Sequence, residues 1–150
     1  MLKYIIGMLL LCGSITALSA QLPKTLKGTT FIFQVVGEYN PKDNPNAGAV
    51  YKMSFDQHKY HYTVLSSQTH YQGKYSYQRK NVNGVYVGVI KLAEYDSKNP
   101  TNYYMILVGD GRSGYYIYKQ TQGAIKPNQR LNVAKYYITI KPKVVSSHKN

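Results

Sequence analysis

From Thr29 onward the chain breaks into eight short segments in which apolar and polar residues alternate, each bounded by Gly, Pro, Asn or Asp. A period of two puts successive side chains on opposite faces of an extended backbone. The apolar half is mostly Tyr, Val and Ile, the types that suit a pleated, half-buried surface. The segments are Thr29 to Val36, Ala49 to Phe55, Tyr60 to Leu65, Gln72 to Arg79, Val85 to Leu92, Tyr103 to Val108, Tyr115 to Thr121 and Leu131 to Lys141. Phe31, Phe33 and Val35 share one face of the first. Tyr51, Met53 and Phe55 oppose Val50, Lys52 and Ser54 in the second. Tyr60, Tyr62 and Val64 oppose His61 and Thr63 in the third; Tyr75 and Tyr77 oppose Lys74, Ser76 and Gln78 in the fourth. Segments five and six are apolar on both faces, as in a wall touched from both sides.

The punctuation fits antiparallel strands. Asn83-Gly84 tolerates the positive φ of a type I′ hairpin turn. Pro41 and Pro45 cannot continue a ladder, so Tyr39 to Gly48 reads as a loop. No window carries helical periodicity. Eight consecutive strands with one-sided alternation predict an all-β fold, an antiparallel eight-stranded up-and-down barrel whose closure removes exposed edges. A flattened β-sandwich is the alternative. A membrane-spanning barrel fits badly, because Lys52, Lys74, Lys119, Lys135 and Lys141 occupy the non-core faces, where lipid would not tolerate them.

Ahead of the strands lies a different composition. Lys3 followed by the apolar run Tyr4 to Cys12, with Ala17-Leu18-Ser19 before a cut after Ser19 or Ala20, predicts a secretory signal peptide over 1–19. Leu11 is too large to precede a lipid-modified Cys12. The expected organisation is then a barrel over 20–142 and a polar tail over 143–150, secreted or periplasmic and without a membrane span. Cys12, the one cysteine, would leave with the leader, so stability must come from apolar burial. The chain carries a formal net charge of +13, and +12 without Lys3. A field of that size favours anionic partners.

The sequence offers little chemistry. His58, His61 and His70 lie close together, but a structural zinc site wants four ligands and cysteine is absent; they read as solvent-facing hairpin histidines. Glu94 and Asp96 read as the solvated end of the fifth strand, and Asp110, between two glycines, as the cap of its own turn. Gly109-x-Gly111 is no phosphate loop, since neither Lys-Ser/Thr nor a helix follows. No cofactor and no enzyme activity are expected.

The order Leu26-Lys27-Gly28-Thr29-Thr30-Phe31, Tyr51-Lys52-Met53-Ser54-Phe55, Gly73-Lys74-Tyr75-Ser76-Tyr77, Ile90-Lys91-Leu92 and Ser113-Gly114-Tyr115-Tyr116 resembles small exported bacterial domains of lipocalin-like type. The layout is similar to the calycin barrels, including the domain named after molybdenum-cofactor-biosynthesis protein F. The lipocalin Gly-x-Trp signature is absent, with Phe31 one position too late to replace its tryptophan. The resemblance implies an up-and-down barrel with a small-ligand cavity and no catalysis. Ser113-Gly114-Tyr115-Tyr116 is also similar to the Ser-Gly-x-x-Tyr stretch of periplasmic lysozyme inhibitors, whose disulfide and tryptophan are missing here.

The 17 tyrosines carry the remaining information. Tyr51, Tyr60, Tyr75, Tyr77 and Tyr115 are expected to point inward. Of the adjacent pairs Tyr103-Tyr104, Tyr115-Tyr116 and Tyr136-Tyr137, one member each must face away from the core. The expected function is a monomeric, non-enzymatic binding module. Its ligand is either a small amphipathic molecule inside, on Phe31, Phe33, Tyr51, Tyr75, Tyr77 and Tyr104, or an anionic polymer outside, on Lys74, Arg79, Lys119, Lys135 and Tyr137. A secreted inhibitor or host-interaction factor using Gly109 to Gly114 or Tyr39 to Gly48 is one alternative. A hydrolase with converging titratable groups is the other.

Overall fold

The computed structural model describes residues 21–95, 101–123 and 131–139. The leader, Asp96, the last residues of the eighth segment and the tail expected over 143–150 lie outside the described residues. Eight strands follow one another: β1 Thr30–Val35, β2 Val50–Phe55, β3 Lys59–Val64, β4 Thr69–Val82, β5 Val85–Glu94, β6 Thr101–Gly109, β7 Ser113–Gln122 and β8 Leu131–Thr139. Each pairs antiparallel with the next, and β8 returns to β1, giving a closed up-and-down barrel rather than a sandwich. No helix among the described residues is long and apolar enough to cross a membrane.

The alternation of the sequence becomes the inside and outside of this wall. Phe31, Phe33 and Val35 face inward from β1, and meet Met53 and Phe55 of β2, Tyr60 of β3, Ile90 and Leu92 of β5, Met105 and Leu107 of β6, Tyr116 of β7 and Ala134 and Tyr136 of β8. Phe31 anchors the aromatic packing, stacked on Phe33 at 5.3 Å and edge-on to Phe55 at 5.6 Å. Asn83 and Gly84 both take positive φ, 50° and 87°, in the two-residue turn between β4 and β5, and the Asn81 side chain accepts a hydrogen bond from the Gly84 N–H at 2.8 Å.

One end is sealed by a segment that carries no strand. Leu22 and Leu26 are fully buried and belong to the same core as Phe31, Phe55 and Tyr136. Tyr77 donates a hydrogen bond to the Pro23 carbonyl at 2.7 Å, and the Arg79 guanidinium donates to the Leu22 carbonyl at 2.7 Å. Gly28 donates to the Phe55 carbonyl at 2.7 Å, tying the segment to the end of β2. The opposite end carries the Tyr39–Gly48 loop. There Asn40 and Asn44 exchange backbone hydrogen bonds, and the Asn44 amide reaches the Val36 and Glu38 carbonyls.

Candidate functional site

The barrel interior divides along its axis. The plugged half is filled by Leu22, Leu26, Phe31, Phe55, Leu107 and Tyr136. The half toward the Tyr39–Gly48 loop is lined differently, with buried Glu94, Thr101, Gln120 and Asn132 among inward tyrosines. Buried polar groups of this kind normally find partners, and each one that does not calls for an explanation, a bound water or ligand among them.

A cavity of about 70 Å³ lies where the two halves meet. Its apolar side is Phe33, Met53, Leu92 and Met105. Its aromatic walls are Tyr51, Tyr60, Tyr62, Tyr103, Tyr116 and Tyr118, and Asn46 and Asn132 contribute amides. The rings brace one another: Tyr60 stacks on Tyr62 at 6.3 Å, Tyr62 on Tyr71 at 4.8 Å, Tyr51 meets Tyr62 edge-on at 5.9 Å, and Tyr103 tilts against Tyr118 at 4.8 Å. Gly73 makes room for this stack. A side chain there would meet the Ala93 carbonyl oxygen and Tyr60 Cε1, so only glycine lets the Tyr60 ring lie against β4.

Glu94 is the carboxylate of this region. It is buried at the end of β5 and accepts a hydrogen bond from the Tyr62 hydroxyl at 3.1 Å. The solvated strand end expected of it is therefore replaced by a place inside the wall, because position 94 shares the inward phase of Ile90 and Leu92. Burial, and then the negative charge of Glu94, hold the Tyr60 and Tyr62 hydroxyls far above the usual phenol range. Burial and the neighbouring Tyr103 do the same for Tyr118, and burial with Tyr51 for Tyr116. The chamber thus presents neutral phenols that can donate and accept hydrogen bonds. The Tyr60 hydroxyl and Asn132 Oδ1, on two of the lining residues, have no hydrogen-bond partner.

The expected interior residues divide. Phe33 and Tyr51 line the cavity. Phe31 lies in the core of the plugged half. Tyr75 packs edge-on to Phe55 at 4.9 Å and donates to the Asp56 carbonyl at 2.6 Å, while Tyr77 holds the plug. Tyr104 is not interior. It faces out, 39 % exposed, with the Lys91 ammonium 5.6 Å from its ring. Met105 and Leu107 take the inward phase of β6, so Tyr103 is the member of that pair that enters the chamber. The same parity turns Tyr116 inward and leaves Tyr115 outside, 53 % exposed, contrary to the expectation for Tyr115.

Of the expected outer residues, Lys74, Lys119, Lys135 and Tyr137 are exposed on the barrel exterior. Arg79 is not part of that surface. It shares the inward phase of Tyr75 and Tyr77, and its guanidinium is drawn to the plug and stacked 4.4 Å from the centre of the Tyr86 ring. Lys74 and Tyr104 instead share a shallow outer groove with Ser76 and Lys91.

Sequence reasoning missed Tyr62, Tyr103, Tyr118, Asn132 and Glu94 as chamber residues. The signal for Tyr62 and Tyr118 was their phase with Tyr60 and Tyr116. Asn132 shares the inward phase of Ala134 and Tyr136, but its polar side chain argued for solvent. Asp110 lies in the β6–β7 turn, where its carboxylate accepts hydrogen bonds from the Arg112 and Ser113 N–H groups at 3.0 and 2.9 Å. Those bonds lower its pKa. Two carboxyls facing each other across a substrate, as glycoside hydrolysis needs, do not occur in the chamber among the described residues. Nor does a group of three metal-ligating side chains occur among them. Comparison with known proteins finds no family model that matches the chain, no similar curated protein and no similar solved structure.

Proposed function

We propose that this chain is an exported, lipocalin-like binding protein that holds a small amphipathic molecule in its tyrosine-lined chamber and performs no chemistry on it. The observation that carries the reading is the pair of unpartnered polar atoms, Tyr60 Oη and Asn132 Oδ1, on two of the residues that line the cavity. Leaving such groups unsatisfied costs about 1–3 kcal/mol each, and a ligand carrying a hydrogen-bond donor offsets that cost. The apolar part of the ligand packs on Phe33, Met53, Leu92 and Met105. A cavity of about 70 Å³ holds roughly five water-sized groups, so the enclosed part is small and a longer ligand protrudes through the mouth. Lys74, Lys119 and Lys135 point away from the chamber, so an anionic partner there is independent of this ligand.

Native mass spectrometry of protein recovered from the exported fraction of its own cells tests the proposal. The expected result is a retained adduct that disappears in Asn132→Leu and in Tyr60→Phe/Asn132→Leu. An adduct-free protein that also shows no binding in a calorimetric screen of small amphipathic amines, amides and alcohols would overturn it.

A further inference from the structure

The exterior of the barrel is two-sided. Val89, Ile106, Ile117 and Val133 pair in one register row across β5, β6, β7 and β8, all pointing outward. Ile106, Ile117 and Val133 are 38, 42 and 41 % exposed. The row on one side adds Val87, Val108 and Tyr115 and ends on Lys135; the row on the other reads Lys91, Tyr104, Lys119 and Leu131. Three strand spacings make the patch about 15 Å wide. Among the described residues no carboxylate lies on the outward faces of β5–β8. The outward faces of β2–β4 are polar, with Lys52, Lys59, His61, Gln72, Lys74 and Ser76.

We propose that the outer wall of β5–β8 docks on an anionic lipid surface, the aliphatic row entering the headgroup–acyl boundary and the lysines meeting lipid phosphates. Apolar positions bordered by tyrosine and lysine match the layering of that interface, where aromatic rings sit at headgroup depth and long cationic side chains reach water or phosphate. The charge decides between occupants. A second copy would set lysine against lysine, and a neutral apolar partner would leave Lys91, Lys119 and Lys135 without counter-charge. The one-sidedness decides the mode. Lys52 and Lys59 on the opposite wall keep that side in water, so the barrel lies on the bilayer instead of crossing it. This surface does not depend on the chamber holding a ligand.

Co-sedimentation of the full chain with vesicles of phosphatidylcholine alone, and with one quarter phosphatidylglycerol, tests the proposal. Binding is expected only to the anionic vesicles, and to fall at high salt. Each lysine contributes about fivefold near an anionic surface, so Lys119→Gln/Lys135→Gln should lower the partition coefficient by about 25-fold. Ile106→Ser/Ile117→Ser should lower it by roughly tenfold or more. Lys52→Gln/Lys59→Gln, on the other wall, should change it less than about twofold. Circular dichroism and thermal melts of each variant establish that the barrel is intact. No binding to anionic vesicles, equal losses from the two lysine pairs, full binding by the isoleucine variant, or retention on heparin without vesicle binding would each overturn the proposal.

Discussion

Replacing Leu26 by alanine tests whether the segment before β1 is a structural stopper or a passive lead-in. Leu26 and Leu22 are fully buried in the same core cluster as the aromatic rings of Phe31, Phe55 and Tyr136. Truncating a fully buried leucine to alanine costs about 2–5 kcal/mol, the upper end where the site cannot collapse. Collapse is restricted here, because Tyr77 and Arg79 fix the Pro23 and Leu22 carbonyls and Gly28 is tied to Phe55. Leu26→Ala should therefore sit in the upper part of that range. A chain of this size loses about 4 °C of melting temperature per kcal/mol, so the midpoint should fall by roughly 12–20 °C. Arg79→Met, which keeps the side-chain stem and removes the charged donor, should cost about 1.5–3 kcal/mol, discounted because the side chain is only partly buried. Urea denaturation of both variants, with a dye that reports exposed apolar surface, measures these losses. A Leu26→Ala cost under about 1 kcal/mol, with no gain in dye binding, would refute the argument that this segment closes the barrel.

Asn132→Leu should leave the unliganded fold unchanged or stabilise it by up to about 3 kcal/mol, because it removes a buried acceptor without a partner; a destabilised melt would mean that Oδ1 is satisfied. Gly73→Ala should destabilise by at least about 1–3 kcal/mol through overpacking, since its methyl would meet the Ala93 carbonyl and Tyr60 Cε1; a neutral thermal melt would contradict the close approach of β3 and β4. In alkaline titration followed by phenolate absorbance, Tyr60, Tyr62, Tyr116 and Tyr118 should ionise far above the usual phenol range, and Tyr136, pushed up by burial, at about 12. A raised folded-state value stabilises fully below the unfolded pKa and fades as pH climbs through the folded one, so for Tyr136 stability is lost between about pH 10 and 12. Ionisation of every tyrosine near pH 10 with an intact dichroism spectrum would refute it.

The strands were legible because period-two alternation is a local property, and Asn83-Gly84 announced its turn through the φ values it tolerates. Inside and outside were legible only where one phase was polar, as at Tyr51-Lys52-Met53. In β6 both phases are apolar, so nothing local separates Tyr103 from Tyr104, and choosing the wrong one moves the whole strand's apparent face. The irregularity between Asn102 and Tyr103 lies beside that choice. Glu94 and Arg79 were misplaced for a different reason. Charge suggested solvent, whereas each keeps its strand's inward phase and meets a partner that only the closed topology supplies, Tyr62 for one and the Leu22 carbonyl for the other. The plug was invisible because it has no periodicity.

The seam between β1 and β8 has a kinetic meaning. It joins Thr30 to Thr139, and the Thr139 hydroxyl donates to the Thr30 carbonyl across 109 positions of sequence. Every other pairing links neighbours in the chain and can zip as a hairpin, whereas this one must await the emergence of the final strand from the ribosome. Until then the first strand shows a bare hydrogen-bonding edge. A nascent chain stalled before Leu131 would carry two such edges, which makes it a target for holdase chaperones and a seed for intermolecular pairing.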